Sequence, residues 1–177
     1  MPNYYRVFIP NSFVFFTINT YKRQFLLIDN VELLRESFKE AKQKYDFEIH
    51  ASVILPDHMH LLLSPSIIEE YPKIIYKIKY HFSRNLNYTN KSLSESKSKK
   101  GEKGIWQRRY WEHTIKDESD YKNHMDYIHY NPVKHSLVKK VKDWQYSSFE
   151  KFVKKGFYDQ NWGNTEEIKM INKLNFE

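Results

Sequence analysis

The run Val53-Ile54-Leu55-Pro56-Asp57-His58-Met59-His60-Leu61-Leu62-Leu63 constrains the fold of this chain more than any other. It reads as two apolar strands separated by a turn, because Pro presets its φ for a turn and Asp can hydrogen-bond nearby backbone. Strands joined so tightly pair antiparallel, and residues two apart on a strand project to the same face. His58 and His60 therefore share one face, while Met59 and Leu61 anchor the strand through the other. An imidazole pair presented from a rigid strand is half of a divalent-metal site. Buried, hydrogen-bonded histidines fit the same pattern, so the pair by itself leaves both readings open.

The flanking segments supply the rest of a small α+β domain. Residues 4–17 are aromatic and β-branched, with Phe13-Val14-Phe15-Phe16-Thr17 the strongest strand signal. Asp29 is placed to cap a helix over about 31–45, where Leu33, Leu34, Phe38 and Ala41 form an apolar stripe. A strand over 47–55 leads into the Pro56-Asp57 turn. A second helix spans about 67–86, with Ile68, Tyr71, Ile75, Ile78 and Phe82 on one face. The stretch 91–104, rich in Lys and Ser, has nothing to bury and reads as a flexible, solvated loop within about 88–104. Residues 105–115 read as a strand, and a third helix covers about 118–130 behind an Asp117 cap. Pro132 predicts that this helix stops near Asn131, since the residue before a proline avoids α geometry. A last helix lies near 147–155 in the stretch from Trp144 onward, and a C-terminal tail follows from about 156. The order strand, helix, hairpin, helix, strand, helix resembles a ferredoxin-like fold with an antiparallel sheet and helices mainly on one face.

The third helix brings a second set of functional groups. Tyr121, Met125 and Ile128 make the stripe that faces the sheet, and Tyr127 and Asn131, four apart, share a face beside it. From that flank Tyr127 can stand over the face bearing His58 and His60, and Asn131 can offer its amide oxygen to the same metal. Two imidazoles and an amide are neutral, so a bound Mg²⁺ or Mn²⁺ keeps its full charge for a phosphate oxygen. A tyrosine prepositioned at such a phosphate can attack it and conserve the bond energy as a phosphotyrosine ester. The plain alternative is that Tyr127 is one of fourteen tyrosines and Asn131 only ends a helix.

At 177 residues the chain suits one domain with its own core. A net charge of +7 together with 17% aromatic residues fits phosphate attraction and stacking of unpaired bases, although aromatic core filling and solubilising lysines fit as well. No apolar run approaches the ~20 residues a membrane span needs, and the start lacks a signal-peptide core. Without cysteines neither disulfides nor thiolate metal sites are available. The expectation is a cytoplasmic protein with no membrane partner.

Several blocks extend the pattern: Phe15-Phe16-Thr17, Ile54 to His60, Ile105 to His113, Asp126 to His135, and Asp143 to Phe149. In this order they resemble the REP-associated tyrosine transposases, relatives of the single-tyrosine insertion-sequence transposases within the HUH endonuclease class. The resemblance implies Tyr127 as nucleophile, His58, His60 and Asn131 as ligands of Mg²⁺ or Mn²⁺, and the HUH fold over residues 1–177. It implies cleavage of single-stranded DNA beside a hairpin of REP-like palindrome, leaving a 5′-phosphotyrosine and a free 3′-OH. It allows a monomer or a homodimer. Arg108, Arg109, Lys134 and His135 are candidate DNA contacts, against solvated arginines and a His135 that caps its helix. Trp106, Trp111 and Trp144 are expected in the core. Two rivals remain: a domesticated, non-catalytic repeat-binding protein, and a phosphodiesterase in which water attacks.

Overall fold

The computed structural model describes residues 6, 8–88, 103–163 and 171. Four strands form one antiparallel sheet: β1 (Val14–Asn19), β2 (Phe47–Ile54), β3 (His58–Pro65) and β4 (Trp111–Thr114), in the order β2-β3-β1-β4. The apolar run is indeed a hairpin, closed where Leu55 N–H donates to the His58 carbonyl at 2.9 Å. β3 lies inside the sheet and both of its faces are covered, which is why its sequence is nearly continuous in apolar residues rather than alternating. Met59, Leu61 and Leu63 enter one core with Val14, Phe16 and Ile18 of β1. His58, His60 and Leu62 turn to the other face, where the second core forms around Phe15.

Helices α1 (Val31–Lys44) and α2 (Tyr71–Asn85) cover the first face through Leu34, Ala41, Ile74, Ile75, Ile78 and Phe82. The expected α+β architecture with an antiparallel sheet is therefore present, although helices cover both faces of the sheet rather than mainly one, because each face of the sheet carries its own apolar core. The cap of α1 is Asn30 rather than Asp29, and the Asn30 side chain turns back to donate to the Leu26 carbonyl. Regular pairing in the 105–115 segment is confined to β4. Upstream of it, Trp106 makes an isolated bridge to Thr20 and Gln107 N–H donates to Asn19 O. The Lys/Ser-rich stretch falls largely outside the described residues, as do 164–170 and 172–177 of the tail. No described helix is long and apolar enough to cross a membrane.

The opposite face carries α3 (Glu118–Lys134), with α4 (Phe149–Lys154) contributing to the same core. Asp117 caps α3 by accepting from Asp120 N–H at 2.8 Å. The helix runs straight past Pro132 to Lys134, three residues beyond the stop that proline predicts. Pro132 lacks the N–H that would donate one turn back, yet this removes a single bond in the last turn. That turn is closed by His135 N–H to Asn131 O and Leu137 N–H to Pro132 O, at 3.0 and 2.9 Å. Every residue from His124 to Pro132 is buried. The reason is that α3 is enclosed on two sides, by the sheet and by the aromatic rings of Phe149, Phe152 and Tyr158 around His129. A single apolar stripe is therefore too narrow a description of this helix.

Candidate active site

His58 and His60 stand side by side on β3, their rings 5.0 Å apart and nearly perpendicular. Each is oriented through its Nδ1. That of His58 lies 2.6 Å from Asp57 Oδ1, and Asp57 is held in turn by Arg23 Nε at 2.7 Å. A carboxylate only accepts, so His58 Nδ1 carries the proton and Nε2 keeps its lone pair. Burial pulls the His58 pKa below its ordinary value despite the opposing Asp57 hydrogen bond, which keeps the ring neutral. Burial acts to raise the Asp57 carboxyl, but the contacts with His58 and Arg23 outweigh it and leave the pKa below the usual range. His60 Nδ1 lies 2.9 Å from Thr17 Oγ1, its direct partner across β1. Phe15, two residues away on the same face, stacks on the His60 ring at 5.5 Å.

Tyr127 is fully buried, with its ring edge-on to His60 at 5.2 Å and to Phe15 at 6.1 Å. The ammonium of Lys134 donates to the Tyr127 hydroxyl at 3.1 Å and lies 4.6 Å from the ring centroid. Asn131, one helical turn beyond Tyr127, is fully buried as well, and neither atom of its amide has a hydrogen-bond partner. The same is true of His58 Nε2. Leaving such groups unsatisfied costs about 1–3 kcal/mol each, and a coordinated divalent cation is one species that offsets it for the lone pairs of His58 Nε2 and Asn131 Oδ1. Two imidazole nitrogens and an amide oxygen make a neutral, mixed N/O donor set, which leaves the charge of a divalent cation uncancelled and suits a transition ion such as Mn²⁺ better than the oxygen-preferring Mg²⁺.

Among the described residues, His113, Asp120 and His124 form a group whose ligand atoms all lie within 4.8 Å of one another, and it could hold an ion. Its hydrogen bonds also give it a structural role. Asp120 Oδ2 accepts from Lys116 N–H at 2.9 Å and lies 2.7 Å from His113 Nε2, while Asp120 N–H is capped by Asp117. These bonds close the first turn of α3 in the manner of a capping box. The Phe15 ring touches both groups, at 4.7 Å from His124 and 5.5 Å from His60.

The remaining residues singled out by sequence distribute differently. His135 occupies the C-cap of α3 and brings its ring to 5.0 Å from that of His58. Lys134, a candidate DNA contact by sequence, donates to the Tyr127 hydroxyl. Arg108 and Arg109 are exposed, and Arg108 lines a groove on the far face of the sheet. Trp106 packs against the α1/α2 core and Trp144 donates from Nε1 to Ile54 O at 2.9 Å. Trp111 departs from the expected burial. It sits on the edge strand, 40% exposed, with its ring parallel to His113 at 5.9 Å. His129 is a core histidine, bonded to Ser148 Oγ at 2.8 Å and pulled down to about 3 by burial. Sequence reasoning missed Thr17, Phe15, Arg23 and Asp57 as supports of the pair. Only Asp57 left a signal, by directly preceding His58.

The family model for IS200-like transposases matches residues 12–131. A Haemophilus influenzae protein assigned by name to the REP-associated tyrosine transposases is 42% identical over 172 residues, covering 96% of this chain and 98% of its own. The REP-associated tyrosine transposase of Escherichia coli K12 is 37% identical over 164 residues, covering 92% and 91%. A solved structure of a REP-associated tyrosine transposase bound to a REP hairpin superposes with a TM-score of 0.77 at 35% identity, covering 93% of both chains.

Proposed function

The chain belongs to the IS200-like transposases, among the REP-associated tyrosine transposases, and we propose that it cuts and rejoins single-stranded DNA through Tyr127 with a divalent metal. The observation that carries this reading is the convergence of the Tyr127 phenol, the Lys134 ammonium and the His58–His60 pair, with His60 5.2 Å from the tyrosine ring. His58, His60 and Asn131 would hold Mg²⁺ or Mn²⁺. When bound, the ion supplies Lewis-acid polarisation of the scissile phosphate and orients it for in-line attack.

The protein groups then have separate tasks. Tyr127 Oη forms the bond to phosphorus as the P–O3′ bond breaks. The phenol proton passes to solvent, and the departing 3′ oxygen takes up a proton to become the free 3′-OH. A 5′-phosphotyrosine remains, and reversal of the same step by another 3′-OH rejoins the strand. Lys134 stabilises the phenolate as it forms, since its ammonium already donates to that oxygen. Asp57 and Thr17 fix the imidazoles so that Nε2 of each is presented for coordination. The Tyr127 hydroxyl is buried in this conformation, so the reaction requires movement that exposes it to the phosphate. The substrate is a hairpin of REP-like palindrome, as in the solved relative, and the setting is the cytoplasm, with residues 1–177 acting as one domain.

The test is an incubation of the full chain with a labelled single-stranded hairpin oligonucleotide and Mn²⁺. A protease-sensitive covalent adduct at the 5′ end of the fragment lying 3′ of the break is expected, and EDTA abolishes it. Hairpin binding that persists in EDTA with no break in any divalent metal would support the non-catalytic rival. Lys134→Met should slow adduct formation by about 10- to 100-fold, the worth of one charge-assisted hydrogen bond realised in the transition state. Lys134→Arg should recover part of that loss. Single-turnover rates at saturating DNA measure both.

A further inference from the structure

On the sheet face opposite Tyr127, a groove of about 630 Å³ runs between α2 and the segment 103–110. The two faces are distinct: Ile105, Trp106 and Tyr110 pack with the α1/α2 core, and Tyr127 belongs to the other. Among the described residues, five cationic side chains line the groove, Arg6, Lys79, Arg84, Lys103 and Arg108, and no carboxylate does. Arg6 is already engaged by Glu112 at 3.1 Å, and Lys103 holds the carbonyl of Ser83 at 2.9 Å. Lys79, Arg84 and Arg108 supply the rest of the positive charge.

Two observations narrow what such a groove takes. Tyr76 and Tyr80, one turn apart on α2, are 67% and 45% exposed, and their rings lie nearly parallel at 5.8 Å. Two large flat rings presented to water beside cations form a stacking platform, and unpaired bases offer matching faces whereas paired bases in a duplex do not. Lys79 is the second. Its amine donates to Gln107 O at 2.8 Å beneath this platform, and burial lowers its pKa to about 8. A cation placed where solvation is poor, with no acidic side chain among the described lining residues, is stabilised by an incoming anion.

We propose that this groove binds the single-stranded DNA segment flanking the hairpin, with phosphates on Lys79, Arg84 and Arg108 and unpaired bases on Tyr76 and Tyr80. The proposal rests on the DNA-processing reading for the identity of the strand, but not on its chemistry. A route between the faces exists at the sheet edge. Tyr110 lines the groove, and its neighbour Trp111 opens β4, the last strand, with its indole turned toward Phe15 on the catalytic side. A strand crossing that edge passes from the groove to the site of attack, over an exposed indole.

The test is fluorescence anisotropy on the full chain in EDTA, with two probes: a labelled oligothymidine and a blunt, fully paired DNA hairpin. The double variant Tyr76→Ala/Tyr80→Ala should lose at least about tenfold in oligothymidine affinity, given the usual worth of base–aromatic stacking. Its affinity for the blunt hairpin should stay within about twofold. Arg84→Gln should reduce the salt dependence of oligothymidine binding by about one phosphate contact. Lys79→Met should weaken the same probe yet raise Tm, which a merely structural lysine would not do. Photo-crosslinking of iodouracil-substituted oligonucleotide should map to Tyr76 or Tyr80. Equal losses on both probes, no loss on either, or displacement of oligothymidine by an acidic polypeptide of equal charge would overturn the proposal. Since binding is read without metal or cleavage, a wild-type protein that forms no adduct would sink the catalytic reading and leave this one to stand on its own data.

Discussion

Tyr127→Phe is expected to eliminate the covalent protein–DNA adduct while the protein stays folded and still binds the hairpin. The substitution removes one oxygen and keeps the ring that packs edge-on to His60 and Phe15. The structural loss is the hydrogen bond from Lys134, about 1 kcal/mol, so thermal unfolding should shift by only a few degrees. The chemical loss is far larger. A nucleophile cannot be replaced by its neighbours, and deleting one typically removes about 10⁴-fold or more in rate. Adduct formation, followed by denaturing electrophoresis with Mn²⁺, separates the possibilities. An adduct that persists in Tyr127→Phe means another residue attacks. Cleavage that continues without any adduct, in this variant and in wild type alike, means water attacks and the transposase chemistry assigned to Tyr127 is wrong.

The second large effect is on stability. Phe15 is fully buried and touches Trp111, His124, Tyr127 and His60, the last as a stacked pair. Phe15→Ala should lower the unfolding free energy by about 3–5 kcal/mol, the usual penalty for emptying a buried aromatic position. Against a typical stability of about 5–15 kcal/mol this removes a large share, and urea melts would show it as an earlier midpoint at similar slope. The loss should also reach function. With its stacking partner gone, the His60 ring loses one of the contacts that fix its orientation, so Mn²⁺ affinity by calorimetry should fall in parallel. Phe15→Leu, which keeps most of the volume, should restore most of the stability but less of the metal affinity. A destabilisation below about 1 kcal/mol would mean that this core relaxes around the gap and that Phe15 does not organise the site.

Much of this arrangement was legible because it depends on short-range periodicity. The hairpin follows from two apolar runs around Pro56-Asp57, and the shared face of His58 and His60 follows from the two-residue repeat of a strand. Tyr127 and Asn131 lie one turn apart because α3 is a helix, and that was readable from residues 118–130. The misplaced helix end shows the limit of local rules. Pro132 disfavours helix at Asn131 in isolation, yet burial from His124 to Pro132 holds the last turn in place. Packing on two sides outweighs a single missing backbone bond. Trp111 erred in the other direction, because a bulky indole argues for burial until the sheet order makes β4 an edge.

What the chain determined alone was which residues are candidates for the chemistry and the faces they share within each element, because both can be read from neighbours a few positions away. Which elements meet was decided only on folding. The pairing of β1 with β3 sets Thr17 against His60, the docking of α3 brings a phenol to that imidazole, and the end of α3 sets His135 against His58. Those contacts join positions tens of residues apart. Their register is set by how two cores fill on either side of one sheet, and no local pattern encodes that.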